Sequence, residues 1–241
     1  PTGEDPWGKV TVWGIGEVEA SHDEGIVVGE RLYGFFPMAS HVVMKPGELS
    51  ERGFADAMPH RSELPGLYNY YARTRSEPAQ LQALEDQRCI FFPLFVTGYV
   101  IADLLMDNEW FGAQQILIGS ASSKTGFSTA AFIRAAGFEG AIVGLTSVQN
   151  VAFSEALGCY DRVVSYDEVE SVANEPSAYI DVAGDVAVRS RLHRSLEDNA
   201  AHTLLVGATH WDQFGQSVGG GPLPGSEPQV FFAPTQIEKR D

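Results

Sequence analysis

The stretch that decides the fold runs Gln115-Ile-Leu-Ile-Gly119, Ser120-Ala-Ser-Ser-Lys-Thr125, Gly126-Phe-Ser-Thr-Ala-Ala-Phe-Ile-Arg-Ala-Ala-Gly137, Ala141-Ile-Val-Gly-Leu-Thr146. It reads as a short apolar strand, a small hydroxyl-rich turn, an amphipathic helix with a glycine stop, and a second strand. Such a unit aims a helix N-terminus, with its free N–H groups and the positive end of its dipole, at whatever lies beyond the first strand. An anionic ligand, a nucleotide phosphate above all, is the natural guest.

Downstream the alternation continues. Strand-like runs at 162–166, 178–183 and 203–209 are separated by helical periodicity at 149–157 and 185–196, and 229–233 can add a strand after the glycine loop at 219–225. Apolar runs of this length between helices give a parallel sheet covered on both faces. Upstream, residues 1–50 read as all-β. Strands at 10–19, 31–36 and 40–45, punctuated by Gly and Pro, imply a small barrel or sandwich. Residues 51–90 read as a loop with one or two short helices, and 91–108 as helical after Pro93. The expected class is α/β, a Rossmann-type doubly wound sheet with a β domain before it. The expected division is 1–60, a connecting segment 61–92, and 93–241.

A chain of 241 residues, 44% of them hydrophobic, can bury a real core, which argues against disorder. Sixteen basic against 32 acidic residues give a net charge of −16, which argues against nucleic acid and anionic membranes as partners. Cys89 and Cys159 are too few for a disulfide framework or a cysteine-rich zinc site and fit a reducing, cytoplasmic interior. No apolar run is expected to cross a bilayer, and no signal segment is evident. The polar start and the stop just after a strand lead us to expect a trimmed chain, lacking pieces at both ends.

In the turn, a dinucleotide fold wants small residues so that backbone can approach a pyrophosphate. Of three spaced glycines only Gly119 is present; Ser122 and Thr125 hold the other places. The hydroxyls of Ser120, Ser122, Ser123 and Thr125 can bond the phosphate directly, and Lys124 adds charge. The plainer reading is a turn capped by Ser122 or Ser123 with no ligand. A phosphate-loop NTPase needs Gly before the Lys-Thr pair, where Ser123 stands. At the end of the second strand, Thr146 and Ser147 replace the acid that meets a free ribose 2′-hydroxyl, which favours NADP over NAD; Ser147 serves equally as an N-cap. Gly184, Gly207, Ala208 and Thr209 fall at later strand ends, on the side where open α/β sheets bind ligands. Asp181 there can cap a turn. His210 has a pKa suited to proton transfer, though a lone histidine is more often structural. Tyr68 and Tyr71 can donate a proton to a substrate, although such a patch more commonly serves packing. There is no Tyr-x-x-x-Lys pair, no HExxH and no Cys/His spacing for catalytic zinc.

The order of parts resembles the medium-chain dehydrogenase/reductase superfamily. Gly16-Glu-Val-Glu-Ala-Ser21, Val28-Gly-Glu-Arg-Leu-Tyr-Gly34 and Ala39-Ser-His-Val-Val43 look like its GroES-like domain, here partial. Phe95-Val-Thr-Gly-Tyr99 looks like the segment leading into its cofactor domain. Ala156-Leu-Gly-Cys-Tyr-Asp161 with Val163-Val-Ser-Tyr166, then Tyr179-Ile-Asp-Val-Ala-Gly184 and Leu204-Leu-Val-Gly207, look like its later strands. Ser-Ser-Lys-Thr at 122–125, Tyr-Asn-x-Tyr at 68–71 and Gly-Ala-Thr-His-Trp at 207–211 look like a bacterial group known only as a domain of unknown function, quinone-oxidoreductase-like. The resemblance implies a zinc-free, NADPH-dependent reductase of a quinone or enone. Pyrophosphate would lie at 120–125, the 2′-phosphate near Thr146, Ser147 and Asn150, and the nicotinamide against Thr97, Gly184 and residues 207–209. Tyr68, Tyr71 or His210 would bond the developing oxyanion. No metal is implied. Homodimers are common in the superfamily, and no segment here specifies one. The degraded glycine fingerprint leaves a second reading open, a non-catalytic nucleotide-binding or scaffold protein on the same fold.

Overall fold

The computed structural model describes residues 10–207 and 222–239. The chain forms two compact units, Pro1–Pro93 and Leu94–Asp241.

The first unit is built on one antiparallel sheet. Its strands are β1 (Thr11–Glu17), β2 (Arg31–Pro37), β3 (Gly53–Ala55) and β4 (Tyr70–Arg73), in the order β1-β2-β4-β3. Strands β1 and β2 pair from Thr11 opposite Pro37 to Glu17 opposite Arg31. Side chains alternate across a strand, so one face of the sheet holds the buried cluster of Ile26, Leu32, Phe54 and Tyr71. The other carries Trp13 in ring contact with both Tyr33 and Phe35. Gly34 is obligatory in β2, because a Cβ there would lie 2.3 Å from the Tyr71 ring.

Two expectations fail in this unit. Residues 40–45 are not a strand; the Lys45 N–H is taken by the Asp56 carboxylate at 3.0 Å, and only an isolated bridge joins Pro46 to Asp56. The stretch read as loop and short helices does contain short helices, α1 (Gly66–Asn69) and α2 (Ala79–Gln82), but Tyr70–Arg73 between them is an inner strand of the sheet. Four residues flanked by helical turns are too few to show a period of two.

The helix α3 (Glu85–Asp107) starts in the first unit and continues in the second. It begins eight residues before the expected break at Pro93, which lies inside it, with Glu85 and Asp86 in the first turn complementing the dipole. This overturns the expectation that no run is long enough for a bilayer. By length and composition α3 suffices, with a mean hydropathy of 2.0 over an 18-residue window. In the second unit its Ile101, Ala102 and Leu105 belong to the core.

That unit is a six-stranded parallel sheet. Its strands are β5 (Gln115–Gly119), β6 (Ala141–Thr146), β7 (Arg162–Ser165), β8 (Ser177–Asp181), β9 (Ala200–Leu205) and β10 (Gln229–Val230), in the order β10-β9-β8-β5-β6-β7. The helices are α4 (Lys124–Ala135), α5 (Val151–Ala156), α6 (Val186–Leu196) and α7 (Ala233–Glu238). Strand β5 is buried along its whole length. Ile116, Ile118, Ile142 and Ile180 face α3 and α4 in one cluster, and Leu117, Leu145 and Tyr179 face α6 in the other. This is the α/β, doubly wound class expected. The chain leaves β5 toward β6 and β7, then returns to β8 on the other side. The strand order therefore reverses between β5 and β8, the place where such sheets bind ligands.

Candidate functional site

Four strand ends converge on one sheet edge: the turn after β5, residues 146–150 after β6, residues 181–184 after β8, and residues 206–207 after β9.

The turn is held by peptide bonds whose partners can be named. Ser120 is left-handed at φ +55°, and its N–H donates to the Tyr166 hydroxyl at 2.8 Å. The Ala121 N–H bonds the Leu145 carbonyl at 2.9 Å, and the Ser123 N–H bonds the Ser120 carbonyl at 2.8 Å. Ser123 is the N-cap of α4, its Oγ accepting from the Gly126 N–H at 3.0 Å. The Tyr160 hydroxyl donates to the Ala121 carbonyl at 2.9 Å. Among the described residues, the N–H groups of Ser122 and Thr125 have no partner. Five residues of the turn, Ser120, Ser122, Ser123, Lys124 and Thr125, were expected to hold a phosphate. The amide of Ser120 is taken by a phenol, and that of Ser123 closes the turn on itself, so both leave the cradle. Gly126 is a close approach, because a Cβ there would lie 2.5 Å from the Ser120 carbonyl oxygen. Gly119 is another, 2.9 Å from the Tyr179 hydroxyl, which is buried and makes no hydrogen bond of normal geometry.

Beside the turn, the Thr146 hydroxyl lies 3.4 Å from that of Ser122. Ser147 precedes the 3-10 turn Val148–Asn150, but its side chain caps nothing; its Oγ accepts from Asn150 Nδ2 at 3.1 Å. The expected cap is made by backbone instead, Asn150 N–H to Ser147 carbonyl at 2.9 Å. Together Ser122, Thr146, Ser147 and Asn150 offer hydroxyl and amide groups without a carboxylate.

At the end of β8, Asp181 is fully buried and pairs with Arg189 of α6 at 2.7 Å. Its other oxygen caps the turn by accepting from the Gly184 N–H at 2.7 Å. Burial pushes this carboxyl up, while Arg189 and the Gly184 N–H pull it down. Burial, then the neighbouring Asp181, pushes the Tyr179 phenol well above its usual value. Gly184 is left-handed at φ +71°, and Gly207 packs where a Cβ would lie 2.0 Å from the Val182 carbonyl oxygen.

The remaining candidates divide. Thr97 lies on α3 beside Gly98, where the helix closes on α4; a Cβ at 98 would meet Ser128 Oγ at 2.4 Å. Tyr68, half-buried, packs on Trp13 and Phe35. Tyr71 is 1% exposed and its hydroxyl donates to the Phe35 carbonyl, so its proton is committed to the core rather than to a substrate. Ala208, Thr209 and His210 lie outside the described residues. Among the described residues no group of three His, Cys, Asp or Glu side chains is placed to hold a metal. The sequence reading missed Tyr160, Tyr166, Tyr179 and Arg189. Gly144 in the middle of β6 was the available signal, since glycine inside a strand marks a close approach.

A family model described as "Protein of unknown function (DUF2855)" matches residues 1–241. No curated protein matches the chain. Among solved structures it resembles a Mesorhizobium loti protein assigned as an NADPH:quinone reductase, at 12% identity and TM-score 0.53, covering 95% of this chain and 62% of that one. It also resembles an enoyl thioester reductase from Candida tropicalis in a mutant form, at 14% identity and TM-score 0.50, covering 94% and 63%. A variant of Etr1p in complex with NADP and crotonyl-CoA gives 13% identity, TM-score 0.51, and coverage of 94% and 63%. The chain thus spans less than two thirds of the length of each. At these identities the likenesses show the fold alone, a Rossmann-type parallel sheet with a smaller antiparallel β unit before it.

Proposed function

The chain belongs to the DUF2855 family, and we propose that it is a zinc-free, NADPH-dependent oxidoreductase that reduces an activated C=C or carbonyl of the quinone or enone type. The observation that carries this reading is the pair of N–H groups, Ser122 and Thr125, that have no partner among the described residues at the start of α4 on the sheet's switch-point edge. The donor set fits the cofactor. Backbone N–H groups and the positive end of α4 suit a diphosphate. Ser122, Thr146, Ser147 and Asn150 suit a 2′-phosphate that a carboxylate would repel. Gly184 and Gly207, with Thr97 and residues 208–209, are the proposed neighbours of the nicotinamide ring. When bound, the cofactor supplies a hydride. The chain's own part is to hold the ring against the substrate and to bond the oxygen where negative charge develops; His210 is the proposed donor. The free cysteines Cys89 and Cys159 accord with a reducing, cytoplasmic setting.

The test is a titration of NADPH fluorescence, followed by the loss of NADPH absorbance with a panel of quinones and enones. Binding with turnover of at least one compound supports the reading; no spectral change at millimolar cofactor refutes it. The capture of the Ser120 N–H by Tyr166 favours the second reading, a nucleotide-binding protein without catalysis. That reading expects binding without oxidation of NADPH by any member of the panel.

A further inference from the structure

Two phenols grip the turn after β5 from opposite faces of the sheet. Tyr166, packed on the α6 side, accepts the Ser120 N–H. Tyr160, packed on the α4 side, donates to the Ala121 carbonyl. We infer that Tyr160 is a positioning residue that aims the Ser122 N–H at the diphosphate of the dinucleotide; the inference rests on the functional reading above.

The argument is geometric. The Ala121 carbonyl and the Ser122 N–H belong to one peptide unit. A trans peptide is planar, with its C=O and N–H on opposite sides. Fixing the carbonyl toward Tyr160 at 2.9 Å therefore turns the Ser122 N–H the other way, and there it meets no partner among the described residues. The neighbouring groups cannot drift, because the Ala121 and Ser120 N–H groups are both tied down. Burial holds the Tyr160 phenol protonated, as the donor this role requires. Its ring reaches the turn only because β6 carries Gly144. A Cβ there would lie 3.1 Å from the Tyr160 ring and 2.8 Å from the Ala121 Cβ. The device needs no glycine at 122. Where the usual fingerprint bares backbone by omitting side chains, this chain rotates one peptide group outward and locks it with a phenol.

Tyr160→Phe keeps the ring over Gly144 and removes only the donor. NADPH should then bind about three- to tenfold more weakly, the range for one lost hydrogen bond. Binding of 2′-AMP, which has no diphosphate, should be unchanged. An unaltered NADPH affinity overturns the inference. So does equal weakening toward both ligands, which is what a merely structural tyrosine would produce. A second measurement needs no variant: in the 15N-labelled wild-type chain, NADPH should shift the Ser122 amide resonance, and a complex that forms while Ser122 stays unmoved overturns the inference. A wild-type chain that binds neither ligand refutes the dinucleotide reading itself and the inference with it.

Discussion

Replacing Asp181 by Asn puts the most charged part of the sheet edge to the test. Asp181 is 0% exposed and Arg189 is 3% exposed, with 2.7 Å between carboxylate and guanidinium. Asn keeps an oxygen for the Gly184 N–H but removes the negative charge that Asp181 sets against the buried guanidinium. Breaking a buried pair in this way costs about 3–5 kcal/mol. For a chain of this size each kcal/mol lowers Tm by about 2–4 °C, so the expected fall is about 6–20 °C. The double replacement Asp181→Leu, Arg189→Met removes both charges. It strands the Gly184 N–H at about 1–3 kcal/mol, so it should be less damaging than the single change. Thermal unfolding by circular dichroism, with urea midpoints at constant m-value, measures both. A single variant within about 2 °C of wild type, or a double variant less stable than the single, refutes the reasoning that the pair answers a buried charge.

Further predictions concern the turn and the buried histidines. Gly144→Ala forces apart Ala121 and Tyr160; it should lower stability by about 1–3 kcal/mol, as overpacking does, and weaken NADPH binding. A variant of wild-type Tm and affinity contradicts the clamp. Gly126→Ala places a methyl 2.5 Å from the Ser120 carbonyl oxygen. NADPH affinity should fall more than about tenfold while helix propensity limits the loss of Tm; unchanged affinity in a titration contradicts the close approach. His193 is held between the Pro224 carbonyl and the Thr203 hydroxyl, and His202 stacks on Phe111 at 3.6 Å. Burial lowers both from 6.5. In the window between those lowered values and 6.5 the unfolded chain binds more protons, so stability falls as pH drops below about 6.5. His193→Gln and His202→Phe should each flatten the fall. A wild-type Tm indifferent to acidification across this window contradicts both assignments.

The second unit was legible because parallel strands buried on both faces leave uninterrupted apolar runs, as in Ile116-Leu-Ile118 and Ile142-Val143. Helix α4 announced itself through Ser123 and the glycine after Ala136. The failures have local causes. Pro93 looked like a helix boundary, yet α3 runs through it. Strand β4 is four residues long between helical turns, and the apparent strand at 40–45 lost its ladder when the Asp56 side chain took the Lys45 N–H. At the site, the turn residues were visible as small and polar. Which of their amides stay open was not, because Tyr160 and Tyr166 reach them from 39 and 46 residues away. Asp181 was legible as a turn cap, and its Oδ1 does hold the Gly184 N–H; its pairing with Arg189 was not, since that contact depends on how α6 docks against the sheet.

The central claim is that the open amides at the start of α4 receive the phosphates of a dinucleotide. A crystal structure of the chain soaked with 2′-phospho-ADP-ribose tests it most directly. The account predicts diphosphate oxygens within hydrogen-bond reach of the Ser122 and Thr125 N–H groups and the 2′-phosphate beside Thr146 and Ser147. Ligand density on another face, or none at a saturating concentration, would contradict it.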